Sequence, residues 1–545
     1  MRRNNLLPAV AVLWTASSLI SPSLSLSSTS AVVKRRPVER IAVIGAGIAG
    51  LSTAHALTAT ATATATSSSS LVVPTVHCFD ARPGLDKNQG AGIQLNGGLA
   101  VLGQINTTVQ RAVMDAGLPA VGVRSRAKAW SNSSSNSHDK PFETLLELDL
   151  LSTVRRAGGA VAAALIHNDK NNNNNKDQLL WYSIMRGALQ ETLYETLPQE
   201  TRQRVAFDKT LTDIVPASSN TDNDGTGAML HFADGTVAGP FDLVIGCDGI
   251  KSAVKEYVEQ GKIAKNAAER EGAAAALYSG VRIRYAVKDG TAAEPQAESA
   301  TLSQFFGDGA YALDGTYGNG AGKPNTKSSF VVYLDEGYIG PFKKSNPNSN
   351  TANGPVIGEN ADWTQNVQKA VESTRETMLK QVQDSGIPDK DLAPTIMNAD
   401  RFFDLGVYFH NPFSLAGWSK EIADSGGAVA VLCGDAAHAM PPFLGQGSNQ
   451  AIQDAYCLAT KILEYNKQVR RGDLDVTELK ELFKQYEKTR WPVAFAITWK
   501  AAFLGYLETG GQNGMYSKFR DVFFKTMGAV GVAEKVLLGA ATPKV

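Results

Sequence analysis

Two strand–turn–helix segments near opposite ends of the chain, separated by alternating strand-like runs, predict an α/β fold. The first segment covers residues 39–80 and the second covers 428–465. Between 275 and 415, runs such as YSGVRIRYAV alternate apolar and polar residues and indicate a mainly antiparallel sheet. The sequence therefore predicts a discontinuous nucleotide-binding domain with an inserted sheet domain, followed by C-terminal helices.

Length and composition exclude several classes of protein. The chain has 545 residues, enough for two or more domains with a large core. Lys plus Arg and Asp plus Glu both total 53, so no charge surplus favours nucleic acid. The four cysteines form no CxxC pair, which argues against a zinc site or a disulfide framework, and we predict no metal.

The first 38 residues have the composition of a targeting segment. A basic start (MRRNN) precedes an apolar run and a Ser-rich stretch, and the first acidic residue is Glu39. We expect this segment to direct the chain into the secretory pathway or an organelle of the plastid type. No later apolar run is long enough to span a bilayer, so we expect a soluble or peripheral mature protein.

Composition and pattern divide the chain into regions. We expect a targeting segment (1–38), a first part of the nucleotide-binding domain (39–270), the sheet domain (271–415), a second part of the nucleotide-binding domain (416–478) and C-terminal helices (479–545). Residues 100–200 are expected to be mostly helical. The polar, low-complexity stretches 58–70, 131–140 and 168–177 predict surface-loop insertions, and 315–329 predicts a hairpin loop.

The stretch ERIAVIGAGIAGLSTAHAL predicts a Rossmann-type nucleotide site. An apolar strand precedes the turn of Gly45, Ala46, Gly47, Ile48, Ala49 and Gly50, and a helical pattern follows it. The glycines permit a tight turn, close approach to a diphosphate, and close packing of helix on strand. An acidic residue should follow the second strand, about 20 residues further on. Asp80 fits once the Thr/Ser insertion is subtracted.

Six motifs in order carry a family resemblance. They are GAGIAG (45–50), the D-x-R of Asp80 and Arg82, GAGIQL (90–95), MRGALQETL (185–193), DLVIGCDGIKSAVK (242–255) and CGDAAHAMPPFLGQGSNQAIQDA (433–455). Together they resemble the FAD-dependent aromatic hydroxylase family, the single-component flavoprotein monooxygenases that include salicylate hydroxylases and zeaxanthin epoxidases. The family usually carries Glu where this chain has Asp80.

The resemblance implies a non-covalent FAD and a role for each matching residue. Asp80 would bind the adenosine ribose beside Arg82, Arg186 would reach the FAD linker, and Asp248 would shape a loop near the cofactor. Asp435, after Gly434, would accept hydrogen bonds from the ribityl chain. The remaining implied cofactor contacts are Gly92, Gly445, Gln446, Gly447, Ser448 and Asn449.

The last of these motifs also has a physical rationale. Glycines at 445 and 447 would let backbone amides approach a flat ring, and a helix beginning near Ser448 would point its positive end at that ring. His438 invites a catalytic interpretation, but no Ser–His–Asp order is evident. We therefore predict that His438 is a structural residue of the turn, and that the flavin itself performs the oxidation.

The inserted sheet should supply the substrate pocket. In YSGVRIRYAV, a period of two places Arg282 and Arg284 on one face, where they could meet a carboxylate or phenolate. The alternative is a sheet with one solvated face. Strand-like FFGDGAYAL adds Phe305, Phe306 and Tyr311 as pocket candidates. No other catalytic side chain is predicted.

The resemblance implies an activity and its partners. The expected reaction uses NAD(P)H, bound transiently, and O2 to hydroxylate or epoxidise an aromatic or lipophilic small molecule through a flavin hydroperoxide. The alternatives are a flavin reductase or dehydrogenase on the same fold, a flavin halogenase, for which the WxWxIP motif is missing, and a redox-inactive FAD-binding module.

An apolar helical stripe between 519 and 537 predicts core or dimer packing, with membrane-surface contact as the alternative. The chain is accordingly expected to be a monomer or a homodimer.

Overall fold

A six-stranded sheet forms the central layer of the nucleotide-binding part in the computed structural model. Its strands are β1 (Arg40–Ile44), β2 (Thr75–Phe79), β9 (Val205–Ala206), β13 (Leu243–Gly246), β19 (Ser419–Glu421) and β20 (Val429–Leu432). They follow the order β19-β20-β13-β1-β2-β9, and all neighbours are parallel except β19 and β20. The central strands are buried along their length, as the continuous apolar runs predict.

The structure describes residues 35–65, 73–86, 90–128, 142–167, 177–217, 226–264, 276–335, 365–473, 476–509 and 514–545. The pattern of contacts divides the chain after Arg36, and residues 37–545 form one compact unit. Most of the predicted targeting segment and the stretch 131–140 lie outside the described residues, as does 168–177 except for its last residue.

A nine-stranded, mainly antiparallel sheet forms the second layer. Its order is β18-β14-β17-β16-β15-β4-β8-β3, with β5 paired to β4, and only β15 and β4 run parallel. The strands are β3 (Gly92–Leu95), β4 (Leu118–Lys128), β5 (Phe142–Asp149), β8 (Tyr182–Met185), β14 (Leu277–Lys288), β15 (Ala300–Phe306), β16 (Ala310–Tyr317), β17 (Thr326–Leu334) and β18 (Arg401–Phe409). Two small sheets contain β10 (Leu211–Pro216), β11 (Ala228–Phe232) and β12 (Val237–Phe241), and β6 (Ile166–His167) and β7 (Gln178–Leu179).

Helices cover both sheets. They are α1 (Ile48–Ala65), α2 (Gly97–Ile105), α3 (Thr107–Ala116), α4 (Leu150–Ala157), α5 (Gly159–Leu165), α6 (Arg186–Glu195), α7 (Gln199–Gln203), α8 (Ala253–Gln260), α9 (Gln365–Asp384), α10 (Asp389–Met397), α11 (Asp435–His438), α12 (Gly447–Arg471), α13 (Leu479–Thr509), α14 (Gly514–Ala529) and α15 (Val532–Ala541). A 3-10 turn covers Pro442–Leu444. Among the described residues, no helix combines the length and apolar character needed to cross a bilayer.

The predicted fold class is confirmed, but several local predictions are wrong. Residues 100–200 contain long strands, because β4 and β5 pair with each other and join the nine-stranded sheet. That sheet therefore draws strands from outside 271–415. The stretch 58–65 is not a loop but the last part of α1, since its alanines favour a helix. The 315–329 hairpin is present, with the turn shortened to 318–325.

The apolar stripe predicted between 519 and 537 belongs to two helices. The chain leaves α14 at Ala529 and re-enters a helix at Val532, with Gly531 in the left-handed region at φ +71°. Only glycine adopts this conformation at low cost, so the break lies where the sequence permits it.

Candidate functional site

Three parallel strands end side by side at one edge of the six-stranded sheet. Ile44 of β1 is in register with Gly246 of β13, which is in register with Leu432 of β20. The glycine-rich turn, the Asp248 loop and the Gly434 loop therefore begin at the same edge. Ligands of α/β sheets bind at the carboxyl ends of such strands.

The glycine-rich turn is packed tightly on one side and open on the other. A Cβ at Gly45, whose φ is +103°, would collide with the carbonyl oxygen of Cys247, and one at Gly50 would collide with the carbonyl oxygen of Gly45. A Cβ at Gly47 would meet no atom of the described residues within 4 Å. Gly45 and Gly50 thus let the chain fold, while Gly47 borders the space where the sequence predicts a diphosphate. Ile48 begins α1, which has no acidic residue in its first turn.

Asp80 fixes this turn to the end of β2. Its carboxylate accepts hydrogen bonds from the amide of Ala46 at 2.7 Å and from Nε of Arg82 at 2.8 Å. Burial alone would raise the pKa of Asp80, but these hydrogen bonds hold it below its ordinary value. The charged carboxylate therefore lies beside the turn, with Arg82 as its partner.

The Gly434–Asp435 loop lies between α1 and α12. A Cβ at Gly434, whose φ is +64°, would lie 2.9 Å from Cβ of Ala49 and 3.2 Å from Cβ of Ala451. This close approach brings the two helix N-termini together. Asp435 is exposed, and its carboxylate is 3.8 Å from the position a Cβ of Gly447 would take. It forms no side-chain hydrogen bond with any described residue, so its oxygens remain available to a ligand.

The turn before α12 combines open glycines with a fixed asparagine. A Cβ at Gly445, whose φ is +61°, would meet no atom of the described residues within 4 Å. Asn449 is fully buried: its carbonyl oxygen accepts from the amides of Asn96 and Gly98, and its amide donates to Gln94 and Gly445. Its side chain therefore joins the turn to the start of α2.

Helix α12 begins within one residue of the predicted start, but Ser448 is not its cap residue. The helix begins at Gly447, one residue before Ser448, and its cap residue is Gln446. Gln446 is buried, and its side-chain oxygen has no hydrogen-bond partner within the described chain.

Arg186 and Gly92 differ in what they offer a cofactor. Arg186, the first residue of α6, is exposed and forms no ion pair with the described residues, and its Cδ would lie 2.9 Å from a Cβ at Gly90. A Cβ at Gly92 would collide with the ring of Tyr317. The side of Gly92 that lacks a side chain is therefore closed by Tyr317, and the predicted cofactor contact cannot use it.

Asp248 caps a helix. Its carboxylate accepts hydrogen bonds from the hydroxyl of Ser252 and from the amide of Ala253 at 2.7 Å, at the start of α8. Burial raises the pKa of Asp248. The side chain thus holds the loop that follows β13 in place.

Sequence reasoning missed a buried charge network behind this edge. Asp454 of α12 accepts from Nε of Arg490 at 2.6 Å, lies 2.5 Å from Nε2 of His438, and accepts from the amide of Gly434 at 3.1 Å. Arg490 and Asp454 are both fully buried. Burial would raise the pKa of Asp454, but His438 and Arg490 lower it by more. The network therefore holds Gly434 in position.

His438 has an acidic partner, Asp454, which the order of residues in the sequence did not reveal. Its second ring nitrogen has no partner among the described residues, and its ring packs against Trp418 with centroids 5.2 Å apart. The spacing of Asn449, Gln450, Gln453 and Asp454 on one helix face was the signal that could have revealed the network.

The predicted roles of Arg282 and Arg284 at the substrate pocket are wrong. Both guanidinium groups bind the carboxylate of Asp404, at 2.9 Å each. Arg284 also donates to Gln381 of α9. A period of two places the arginines together, but on the sheet face covered by α9 and α10. Phe305 packs on this helix-covered face as well.

The opposite face of the sheet points toward the nucleotide-binding part. Ile283, Leu313 and Tyr311 lie on it, together with Phe443 from the 3-10 turn. Tyr311 is buried and hydrogen-bonded to Glu508 of α13, which also accepts from Gln304 at 3.1 Å. Burial raises the pKa of Glu508 to about 7. Glu508 and Gln304 were not predicted, because nothing in the sequence places α13 over this face.

Comparison with known proteins agrees with this geometry. The family model "FAD binding domain" matches residues 424–501, which contain β20, α11, α12 and the first part of α13. Salicylate hydroxylase asL1 of Sarocladium schorii is 28% identical over 288 residues, 52% of this chain and 49% of that protein. Kynurenine 3-monooxygenase of Anopheles gambiae is 35% identical over 82 residues, 15% of either chain. The chain thus spans half or less of the length of these two relatives.

A solved structure matches over nearly the whole chain. The complex of Klebsiella pneumoniae HpxO with FAD and uric acid superposes with a TM-score of 0.59, covering 93% of this chain and 97% of that one. The two sequences are 16% identical, so this likeness concerns the fold. The predicted fold is therefore confirmed, and the family match confirms FAD as the predicted cofactor.

Proposed function

We propose a function on the premise that the chain belongs to the FAD-dependent aromatic hydroxylase family of flavoprotein monooxygenases. The proposed reaction uses NAD(P)H and O2 to hydroxylate or epoxidise an aromatic or lipophilic small molecule. One observation carries the proposal. Gly47, Asp435 and the start of α12 converge at one edge of the six-stranded sheet. They offer open space, a carboxylate without a hydrogen-bond partner among the described residues, and a positive helix end.

The chemistry of the described residues fits an FAD. The amides at the start of α1 suit a diphosphate. The space beside Gly47 is open, because glycine has no side chain to fill it. Arg186 is an exposed cation without an acidic partner in the described chain, and it suits the linker phosphates. Asp435 suits hydroxyl donors, because an ionised carboxylate only accepts hydrogen bonds.

The chain contributes positioning and electrostatics to the reaction. FAD, when bound and reduced by NAD(P)H, supplies the chemistry that activates O2. The N-terminus of α12 follows the turn at Gly445, so backbone amides there would stabilise negative charge on a bound flavin ring without a cationic side chain.

The substrate wall is largely apolar. Ile283, Leu313 and Phe443 lie on the sheet face toward the nucleotide-binding part, and such walls favour aromatic or lipophilic molecules. The Tyr311–Glu508 pair adds one polar region to this face. Arg282 and Arg284 lie on the opposite sheet face, so a carboxylate-bearing substrate would need another cation.

Anaerobic stopped-flow reduction tests the function. The protein, purified from about Val33 with its FAD, is mixed with NADPH or NADH, with and without phenolic and polyene compounds. We expect slow flavin reduction by the nucleotide alone and at least about tenfold acceleration by the right substrate. The reason is that an enzyme that reduces its flavin only when substrate is bound avoids wasting NAD(P)H. The control is a non-aromatic polar compound of similar size, which should leave the rate unchanged.

Two results would count against the proposal. If no compound accelerates reduction, and reduced flavin passes electrons to an unsaturated acceptor under anaerobic conditions, the protein is a reductase on the same fold. Flavin that remains with the protein after acid precipitation would contradict non-covalent binding.

We also propose that residues 1–38 direct the chain into the secretory pathway or an organelle. Support comes from the order of a basic start, an apolar run and a Ser-rich stretch with no acid before Glu39.

A further inference from the structure

One surface of the molecule exposes an unusual set of large apolar side chains. It is formed by the outer sides of α13 and α14 and by the loop 411–416. Its members are 54 to 99% exposed. We call this surface the aromatic face, and it consists of Phe413, Leu415, Trp499, Phe503, Phe519 and Val522.

The aromatic face is continuous. The rings of Phe413 and Trp499 have centroids 6.3 Å apart. Trp499 and Phe503 are one turn apart on α13, so they share a helix side. The ring of Phe503 lies 6.4 Å from that of Phe523, which in turn lies 6.4 Å from that of Phe519. The rings therefore form one band across both helices.

The inner sides of the same helices pack against the rest of the protein. The ring of Phe524 stacks on Phe306 of the nine-stranded sheet, with centroids 4.9 Å apart. A Cβ at Gly505 would collide with the ring of Phe443. Arg520 is buried and donates to the carbonyl of Gly307 at 2.7 Å. The outer aromatic side chains are thus not needed to hold the helices, and exposed patches of this kind mark interaction surfaces.

The exposed charged residues of α13 and α14 near the aromatic face are all positive. Between Trp491 and Val530, the exposed charged residues of the described chain are Lys500, Lys518 and Lys525. The acids in this interval, Glu508 and Asp521, are both buried on the inner side. Within this interval the described residues therefore carry three exposed positive groups and no exposed negative group.

We propose that the aromatic face docks on the surface of an anionic phospholipid bilayer. Trp and Phe side chains favour the boundary between headgroups and acyl chains, and lysines on the same side are attracted to anionic headgroups. Neither helix is apolar enough to cross the bilayer, so the contact is peripheral. The inference does not depend on the proposed reaction, because it rests on the outer surface alone.

Vesicle flotation tests the proposal. The FAD-bound protein is floated with vesicles of phosphatidylcholine alone or of phosphatidylcholine mixed with phosphatidylserine. We expect binding to the mixed vesicles, much weaker binding to phosphatidylcholine, and loss of that difference at high salt, which screens the lysines. The variant Trp499→Ser/Phe503→Ser/Phe519→Ser should lower the partition coefficient at least about tenfold.

Two further variants separate charge from apolar contact. Lys500→Gln/Lys518→Gln/Lys525→Gln should remove the preference for phosphatidylserine while keeping the weak binding to phosphatidylcholine. Val237→Ser/Met397→Ser changes two exposed apolar residues elsewhere and should bind like the wild type. If the serine triple variant fails to fold, single Phe519→Ser and the lysine variant carry the test.

Three outcomes would overturn the proposal. One is a wild-type protein that floats with neither vesicle. Another is equal loss of binding in the Val237→Ser/Met397→Ser control. The third is sedimentation showing that wild-type chains dimerise through the aromatic face and that the dimer ignores vesicles.

Discussion

Replacing Arg490 by methionine is expected to lower the free energy of unfolding by about 3–5 kcal/mol, because it removes one of the two side chains that pair with the buried charge of Asp454. Both side chains are fully buried, and the pair is joined at 2.6 Å. His438 alone cannot compensate, since it contacts the other carboxylate oxygen. Urea unfolding at neutral pH measures the change.

The matched control for this variant lies on the same helix. Lys488 is exposed on α13, so Lys488→Met should change the free energy of unfolding by less than about 0.5 kcal/mol. Equal stability of the two variants would show that the buried network is not formed. Because Asp454 also holds the amide of Gly434, we expect Arg490→Met to weaken FAD binding as well.

Asp435→Ala is expected to raise the dissociation constant for FAD by about 10- to 150-fold, the equivalent of losing a charged acceptor worth roughly 1.5–3 kcal/mol. The carboxylate is exposed and makes no hydrogen bond to the described chain, so its removal should change the free energy of unfolding by less than about 1 kcal/mol. Titration of the apoprotein with FAD, followed by quenching of flavin fluorescence, gives the constant.

Asp473→Ala serves as the control for the FAD titration, because Asp473 is an exposed aspartate beyond the end of α12. It should bind FAD like the wild type. An Asp435→Ala protein that retains FAD as tightly as this control would remove Asp435 from the cofactor site.

His438→Asn should keep measurable turnover wherever it folds, since the ring faces the buried network and not the open edge.

The glycine motifs were readable from the sequence because backbone contact permits no other residue. Gly45 and Gly50 would collide with neighbouring carbonyl oxygens if they carried a Cβ, and this requirement is visible in spacing alone. The shared edge at which β1, β13 and β20 end follows from the same motifs, since parallel strands place their loops at one edge. The nucleotide-binding layer was therefore predictable.

The substrate side was less predictable for a physical reason. A period of two in β14 shows that Arg282 and Arg284 share a face, but the period is the same whichever face is covered. What decides the face is α9, which brings Gln381 to Arg284, and the distant Asp404 on β18. Contacts between residues 97 and 120 positions apart leave no local signal.

The buried network shows the same limit in a milder form. Asp454 and Arg490 are separated by 36 positions, and each on its own resembles an ordinary helix surface residue. Only the polar spacing before Asp454 indicates that this side of α12 faces another polar group. Sequence reasoning therefore placed His438 in a turn but missed what holds it.

Incorporation of oxygen from labelled gas tests the central claim, that this chain is a monooxygenase, most directly. A compound that accelerates flavin reduction is converted under ¹⁸O2 with NADPH or NADH, and the product is examined by mass spectrometry. The account predicts one ¹⁸O atom in each product molecule and one NAD(P)H consumed for each. Product without label, or NAD(P)H consumption that yields only hydrogen peroxide with every accelerating compound, would contradict it.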